Sequence, residues 1–169
     1  AAHMVAIAAP LEEQSHWQQL AMTLAERSHD KRARGGLATL YNNQGWTLFE
    51  LGRLDEAIAC QQKCLAWHEQ HNNQGKAFIA RWSLARLSRA QDRHEQAMAE
   101  LAQLRDDMTA AGAPEDGYVF EELGENALVL NDPAATEYFA RAWFLLSQDG
   151  WFTANEAERL ARLKLLAKL

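Results

Sequence analysis

The sequence predicts an all-α chain, a right-handed α-solenoid of antiparallel helix pairs with about eight helices. Three observations carry that expectation. Ala, Leu, Gln, Glu and Arg are abundant and β-branched residues few, and 169 residues hold only three Pro and nine Gly, a composition that favours helix. Apolar residues recur at helical spacing along most of the chain, with no strand-like alternation. A signature of small and apolar residues also repeats: Gly45, Leu48, Gly52, Leu54 and Ala57 are followed about 40 residues later by Ala85, Ser88, Asp92 and Ala97. A third copy opens at Leu123-Gly124 and reaches Ala135, Phe139 and Ala142 after losing about one residue in its turn.

The elements follow in order. Ala1-Ala2-His3-Met4 looks like a cloning scar, and residues 1–10 are expected to be a tag remnant and a disordered start. Residues 11–169 are expected to form one domain. Within it, residues 11–35 hold an N-terminal helix, residues 36–147 three helix pairs, and residues 148–169 a C-terminal capping helix. Pro10 suits the start of the first helix, whose Trp17, Leu20, Ala21 and Leu24 fall on one side. The first helix of the first pair spans about residues 36–51 and ends at Gly52, a left-handed cap. Asp55 is expected to cap the next helix, which runs to about His71 and turns at Asn72-Asn73-Gln74-Gly75. The second pair covers about residues 76–90 and 94–111, and the third about 116–130 and 133–147, with Asn131-Asp132-Pro133 between. A last helix over about residues 153–168 follows Asp149-Gly150.

The first copy, with Gly45, Leu48, Gly52 and Ala57 in place, resembles a tetratricopeptide repeat. Small residues are needed where two helix axes approach closely. The copies also depart from that pattern. Gln61 stands where the family prefers an aromatic, Cys64 replaces a small Ala, and the second copy has Arg81 and Asp92 at usual apolar and Gly positions. The period exceeds the usual tetratricopeptide length, as in the repeats of kinesin light chains and of many bacterial regulators. The resemblance covers about residues 36–142, and it implies a scaffold that binds a protein or peptide.

In that family the first helix of each pair lines a concave groove. Residues spaced i, i+4 and i+7 share a helix face. Matching the copies gives Asn42, Trp46 and Phe49 in the first, Trp82, Arg86 and Arg89 in the second, and Tyr118, Glu121, Glu125 and Leu128 in the third. Aromatic and Arg side chains are the types that carry binding energy at interfaces. An Asn can bond a peptide backbone, and an Arg can clamp a carboxylate through two parallel bonds. The alternative is an internal network in which Arg86 and Arg89 pair with Glu121 and Glu125. The Lys and Asn pattern with which some tetratricopeptide domains hold a C-terminal carboxylate is absent, since no Lys faces Asn42 and Asn43.

Other classes fit less well. A net charge of −6 argues against a nucleic-acid partner, and no apolar run is long enough to cross a bilayer. Two Cys fit a reducing cytoplasm, the expected location. No phosphate-cradling loop, GxSxG or HExxH appears, so neither an enzyme nor a cofactor is expected. Cys60, Cys64, His68 and His71 are spaced to share a helix face as zinc ligands, yet Cys64 takes a packing position and a structural role is the expectation, with no metal. Glu121, Glu122 and Glu125 form a carboxylate cluster that lacks a second catalytic group. Arg27, Lys31, Arg32 and Arg34 form a basic run between the first helix and the first repeat that either meets an anionic partner or complements a helix end. The last helix carries Leu160, Leu163, Leu165, Leu166 and Leu169, which suit a cap or a homodimer face. The alternatives to a peptide-binding module are thus an oligomerisation unit built on the terminal helices, and the sensing domain of a bacterial transcriptional regulator.

Overall fold

A computed structural model describes residues 9–169. The scar and most of the expected disordered start lie outside those residues. Ten helices and no strand occur among the described residues. They are α1 (Leu11–Arg27), α2 (Lys31–Gly35), α3 (Leu37–Glu50), α4 (Leu54–Gln70), α5 (Gln74–Ala90), α6 (His94–Ala110), α7 (Gly117–Val129), α8 (Ala135–Leu146), α9 (Gly150–Asn155) and α10 (Ala157–Leu166). The chain divides into two compact units, one ending at Leu87 and one running from Ser88 to Leu169, with the boundary inside α5.

Helix endings explain the repeat. Gly52, Asn72, Asp92, Gly112 and Asn131 all have positive φ, between 53° and 73°. At each, the next N–H reaches back five residues, as in Arg53 N to Leu48 O at 2.8 Å and Arg93 N to Ser88 O at 3.0 Å. This is the Schellman closure, which satisfies carbonyls that a helix end would otherwise leave bare. Asp92 and Asn131 therefore adopt the backbone of Gly52, as short polar side chains can. Departure from Gly at position 92 changes the residue and leaves the turn unchanged.

Starts of helices differ more from expectation. Asp116 accepts from Tyr118 N, and Asp149 accepts from Trp151 N and Phe152 N. Asp55 does not cap α4: the helix begins one residue earlier behind Arg53, and Asp55 and Glu56 lie in its first turn, where their charge suits the helix dipole. The basic run is divided: Arg27 ends α1, and Lys31, Arg32 and Arg34 lie in a short helix of their own, α2, capped by Asp30 and ended at Gly36. The expected single last helix is two. Glu156 leaves helical geometry at φ −124° and ψ 35°, so α9 can bury Phe152 completely while α10 takes a new direction.

In the first unit α1 packs on α3, and α3 on α4. Ala21, Met22, Ala25, Leu37, Leu40, Tyr41, Cys64 and Ala80 form its main core, and Leu48, Ala57 and Leu87 a second cluster. In the second unit α7 packs on both α6 and α8, and α10 covers α8. Leu101, Leu104, Leu123, Phe139, Phe152 and Leu163 are among its fully buried side chains. Close packing of the paired helices depends on glycine. A Cβ on Gly45 would lie 2.8 Å from Gln61 Nε2, and one on Gly124 would lie 2.8 Å from ring carbons of Phe139. Gln61 thus occupies in the first pair the place of an aromatic ring in the third.

Candidate functional site

The ten residues expected on the groove face are divided between the units. Asn42, Trp46, Phe49, Trp82 and Arg86 belong to the first, and Arg89, Tyr118, Glu121, Glu125 and Leu128 to the second.

In the first unit α3 and α5 bring four of their side chains into one cluster. The Trp46 ring meets Phe49 edge-on at 5.6 Å and Trp82 at 5.9 Å between centroids. The Arg86 guanidinium carbon lies 5.5 Å from the Trp46 ring centre, 5.6 Å from that of Trp82 and 5.9 Å from that of Phe49. Contacts of this kind contribute about 0.5–2 kcal/mol each, more as water is excluded. All four side chains are half-buried, so rings and cation hold a fixed arrangement while keeping part of their surface in water. Asn42, one turn before Trp46, is half-buried too. The buried Gln61 amide donates to both the backbone and side-chain oxygens of Asn42 at 3.4 Å. Those oxygens face the helix pair, which leaves the Asn42 amide group as a donor. Asn43 Oδ1 receives it at 3.4 Å. Gln61 looks like a packing flaw in the sequence, and its polarity makes sense only once α4 is laid against α3.

In the second unit the charges are spent internally. Arg89 grips Glu122 at 2.6 and 3.0 Å, and the Glu122 side chain is almost wholly buried. Burial alone would weaken the Arg89 charge, but the Glu122 hydrogen bond and the neighbouring carboxylates more than offset it, so its pKa is raised. Within this unit the hydrogen bonds to Glu121 and Glu125 come from α10 and not from Arg89. Arg159 of α10 takes Glu121 through two bonds of 2.6 and 2.5 Å, and Arg162 takes Glu125. Tyr118 packs edge-on against Phe152 at 5.8 Å, with the Arg159 guanidinium over its ring. The internal network anticipated for the Arg and Glu rows thus exists with other partners. Its cations Arg159 and Arg162 sit three residues apart on α10, matching carboxylates four apart on α7; that spacing was the sequence signal available.

The remaining chemical candidates are also placed. Both cysteines are free, and burial pushes both thiols above their ordinary values, which keeps them as packing groups at neutral pH. His71 stacks on Trp67 at 3.8 Å, whereas His68 is buried. Among the described residues no group of three or more His, Cys, Asp or Glu is placed to hold a metal. No described helix is long and apolar enough to cross a membrane.

Residues 38–71 match the family model for the tetratricopeptide repeat. The chain carries a tetratricopeptide repeat. The matched stretch takes in nearly all of α3 and the whole of α4, with Gly45 and Ala57 at the helix contact and Gly52 at the turn. No curated protein matches the chain. A tetratricopeptide repeat is in general a protein-interaction element.

Proposed function

We propose that the chain is a non-enzymatic module that holds a peptide or helix of a protein partner on the α3–α5 face of its first unit. The observation carrying this is the cluster in which Trp46, Phe49 and Trp82 surround Arg86 at 5.5–5.9 Å while all four stay partly open to water. Large rigid aromatics and an Arg already held in place lose little freedom on binding, which is what concentrates affinity in a few residues. Asn42 supplies a donor for a backbone carbonyl beside them. Glu121, Glu125 and Arg89 have another role in this reading: the two carboxylates anchor α10, and Arg89 pairs with Glu122 inside the second unit.

Selection of peptides from a displayed random library tests it. Selected peptides are expected to bind Trp46→Ala and Arg86→Glu at least about tenfold more weakly than the parent chain. Unchanged affinity in both variants removes the surface. A second reading rests on the end of the chain, where Leu165 of α10 is 76% exposed and Leu169, past the left-handed turn at Lys168, is 61% exposed. Two exposed leucines there are suited to meeting a second copy of the chain. Light scattering over a concentration series, with Leu165→Glu as comparison, distinguishes a dimer formed through them from a monomer.

A further inference from the structure

The first and last long helices expose apolar side chains where the terminal elements of a helical array normally turn polar. On α1, Trp17, Leu20 and Leu24 fall on one side at i, i+3 and i+7. Trp17 is half-buried, Leu20 is 38% exposed and Leu24 58% exposed. On α10, Leu165 is 76% exposed, with Ala157 and Ala161 exposed on the same side.

Each of these helices is half of a pair. α1 packs on α3 as α6, a second helix, packs on α7, the first helix of the next pair. The second helices α4 and α8 also pack on first helices of their own, α3 and α7, whereas α1 has none among the described residues. α10 is the opposite case. It packs on α8, and its Arg159 and Arg162 reach α7, so it stands where the first helix of a fourth pair would. Leu160-Ala161 repeats the Leu123-Gly124 of α7. Gly45 and Gly124 meet a second helix at this place, and small residues there let two helix axes approach closely. Ala161 is exposed instead.

The charges select one orientation. Set antiparallel, residues 158, 161 and 165 of α10 stand level with residues 27, 24 and 20 of α1, because both sets have the same spacing. Glu158 then faces Arg27, Ala161 faces Leu24, Leu165 faces Leu20, and Lys168 points toward Glu12 and Glu13. All five charged residues are exposed and have no ion pair among the described residues. Set parallel, Glu158 would meet Glu12 and Glu13, and Lys168 would meet Arg27. Like charges brought together in this way cost free energy and exclude that orientation.

We propose that α10 of one molecule packs antiparallel on α1 of a second copy, so that two half-pairs complete one helix pair between chains. The contact is head-to-tail: a dimer keeps one free α1 and one free α10, and association continues past it. This partner differs from a symmetric contact of α10 with α10, and the surface shares no residue with the Trp46 cluster.

Light scattering of the full chain over a concentration series tests the contact. One helix-on-helix contact is at the small end of interface sizes, so association is expected to be half-complete at about 0.1–1 mM, with the mean mass rising beyond that of a dimer. Leu24→Glu and Leu165→Glu change exposed positions, and each alone is expected to stay monomeric. Their equimolar mixture is expected to form a dimer of one copy each and nothing larger, since one variant keeps α10 intact and the other α1. Ala161→Arg is expected to behave as Leu165→Glu does, and Trp46→Ala as the parent chain, so this contact and the peptide surface fail separately. A parent chain that stays monomeric throughout overturns the proposal. So does a mixture that stays monomeric. Association of Leu24→Glu alone at the parent's strength also overturns it, and assigns the contact to α10 with α10.

Discussion

Helices α3 and α7 begin the first and third pairs and carry the same glycine and the same Schellman turn, yet they use their outer faces in opposite ways. On α7, Glu121, Glu122 and Glu125 are each gripped by an Arg, two of them from α10. On α3 the face carries Asn42, Trp46 and Phe49, and what meets it from α5 is an aromatic ring and a guanidinium stacked on rings. The same paired backbone thus carries two kinds of outer packing: on α7 a terminal helix brings matching ions, and on α3 the neighbouring helix brings an aromatic ring and a guanidinium stacked on rings.

The largest test of this contrast is Glu122→Ala. It strands Arg89 beside a buried site and is expected to destabilise the second unit by about 3–5 kcal/mol in urea unfolding. A loss under about 1 kcal/mol would mean that the network is solvated and the two faces are alike.

Packing beneath the faces comes next. Gly124→Ala drives a methyl into the fully buried Phe139 ring and is expected to cost about 1–3 kcal/mol. At Gly45→Ala the obstacle is the tip of the Gln61 amide, a longer and more adjustable side chain, so the cost is smaller. Reversal of that order, measured by thermal unfolding of both variants, would show that the Gln61 amide is held as rigidly as the ring.

A third effect belongs to the first unit alone. Since burial keeps the His68 pKa below its ordinary value, the unfolded chain takes up the proton first as pH falls. Stability is therefore expected to decline as pH drops below about 6.5, and to be independent of this group above it. His68→Gln should flatten that decline. A decline of the same size in the variant would assign it to another group.

The smallest effect is expected at the edge of the network. Arg162 is about half-exposed, so Arg162→Ala should cost only about 0–1 kcal/mol, and less in high salt. A larger loss would extend the buried network to Glu125.

Much of the fold was legible because it rests on local rules. Gly45 and Gly124 mark close helix contacts, and Gly52 marks a left-handed ending; both leave a trace at fixed spacing. The repeat of about 40 residues follows from turns that recur at Gly52, Asn72, Asp92, Gly112 and Asn131. The site was legible in part. The shared face on α3 and α5 follows from helical spacing, and Trp46, Phe49, Trp82 and Arg86 do meet. The partners of Glu121 and Glu125 were not legible, because Arg159 and Arg162 lie 37 or 38 residues away and the break at Glu156 sets the direction of α10. The role of Gln61 was not legible for the same reason: it supports Asn42 across a helix pair.

The sequence by itself determined most of the long helices and their endings, since hydrogen bonds four or five residues apart and a periodic apolar stripe are encoded within each segment. Only the tertiary structure decided which carboxylate each Arg of the second unit meets. An ion pair or an aromatic contact depends on distances across helices, and those distances are fixed by packing against side chains that no local pattern records.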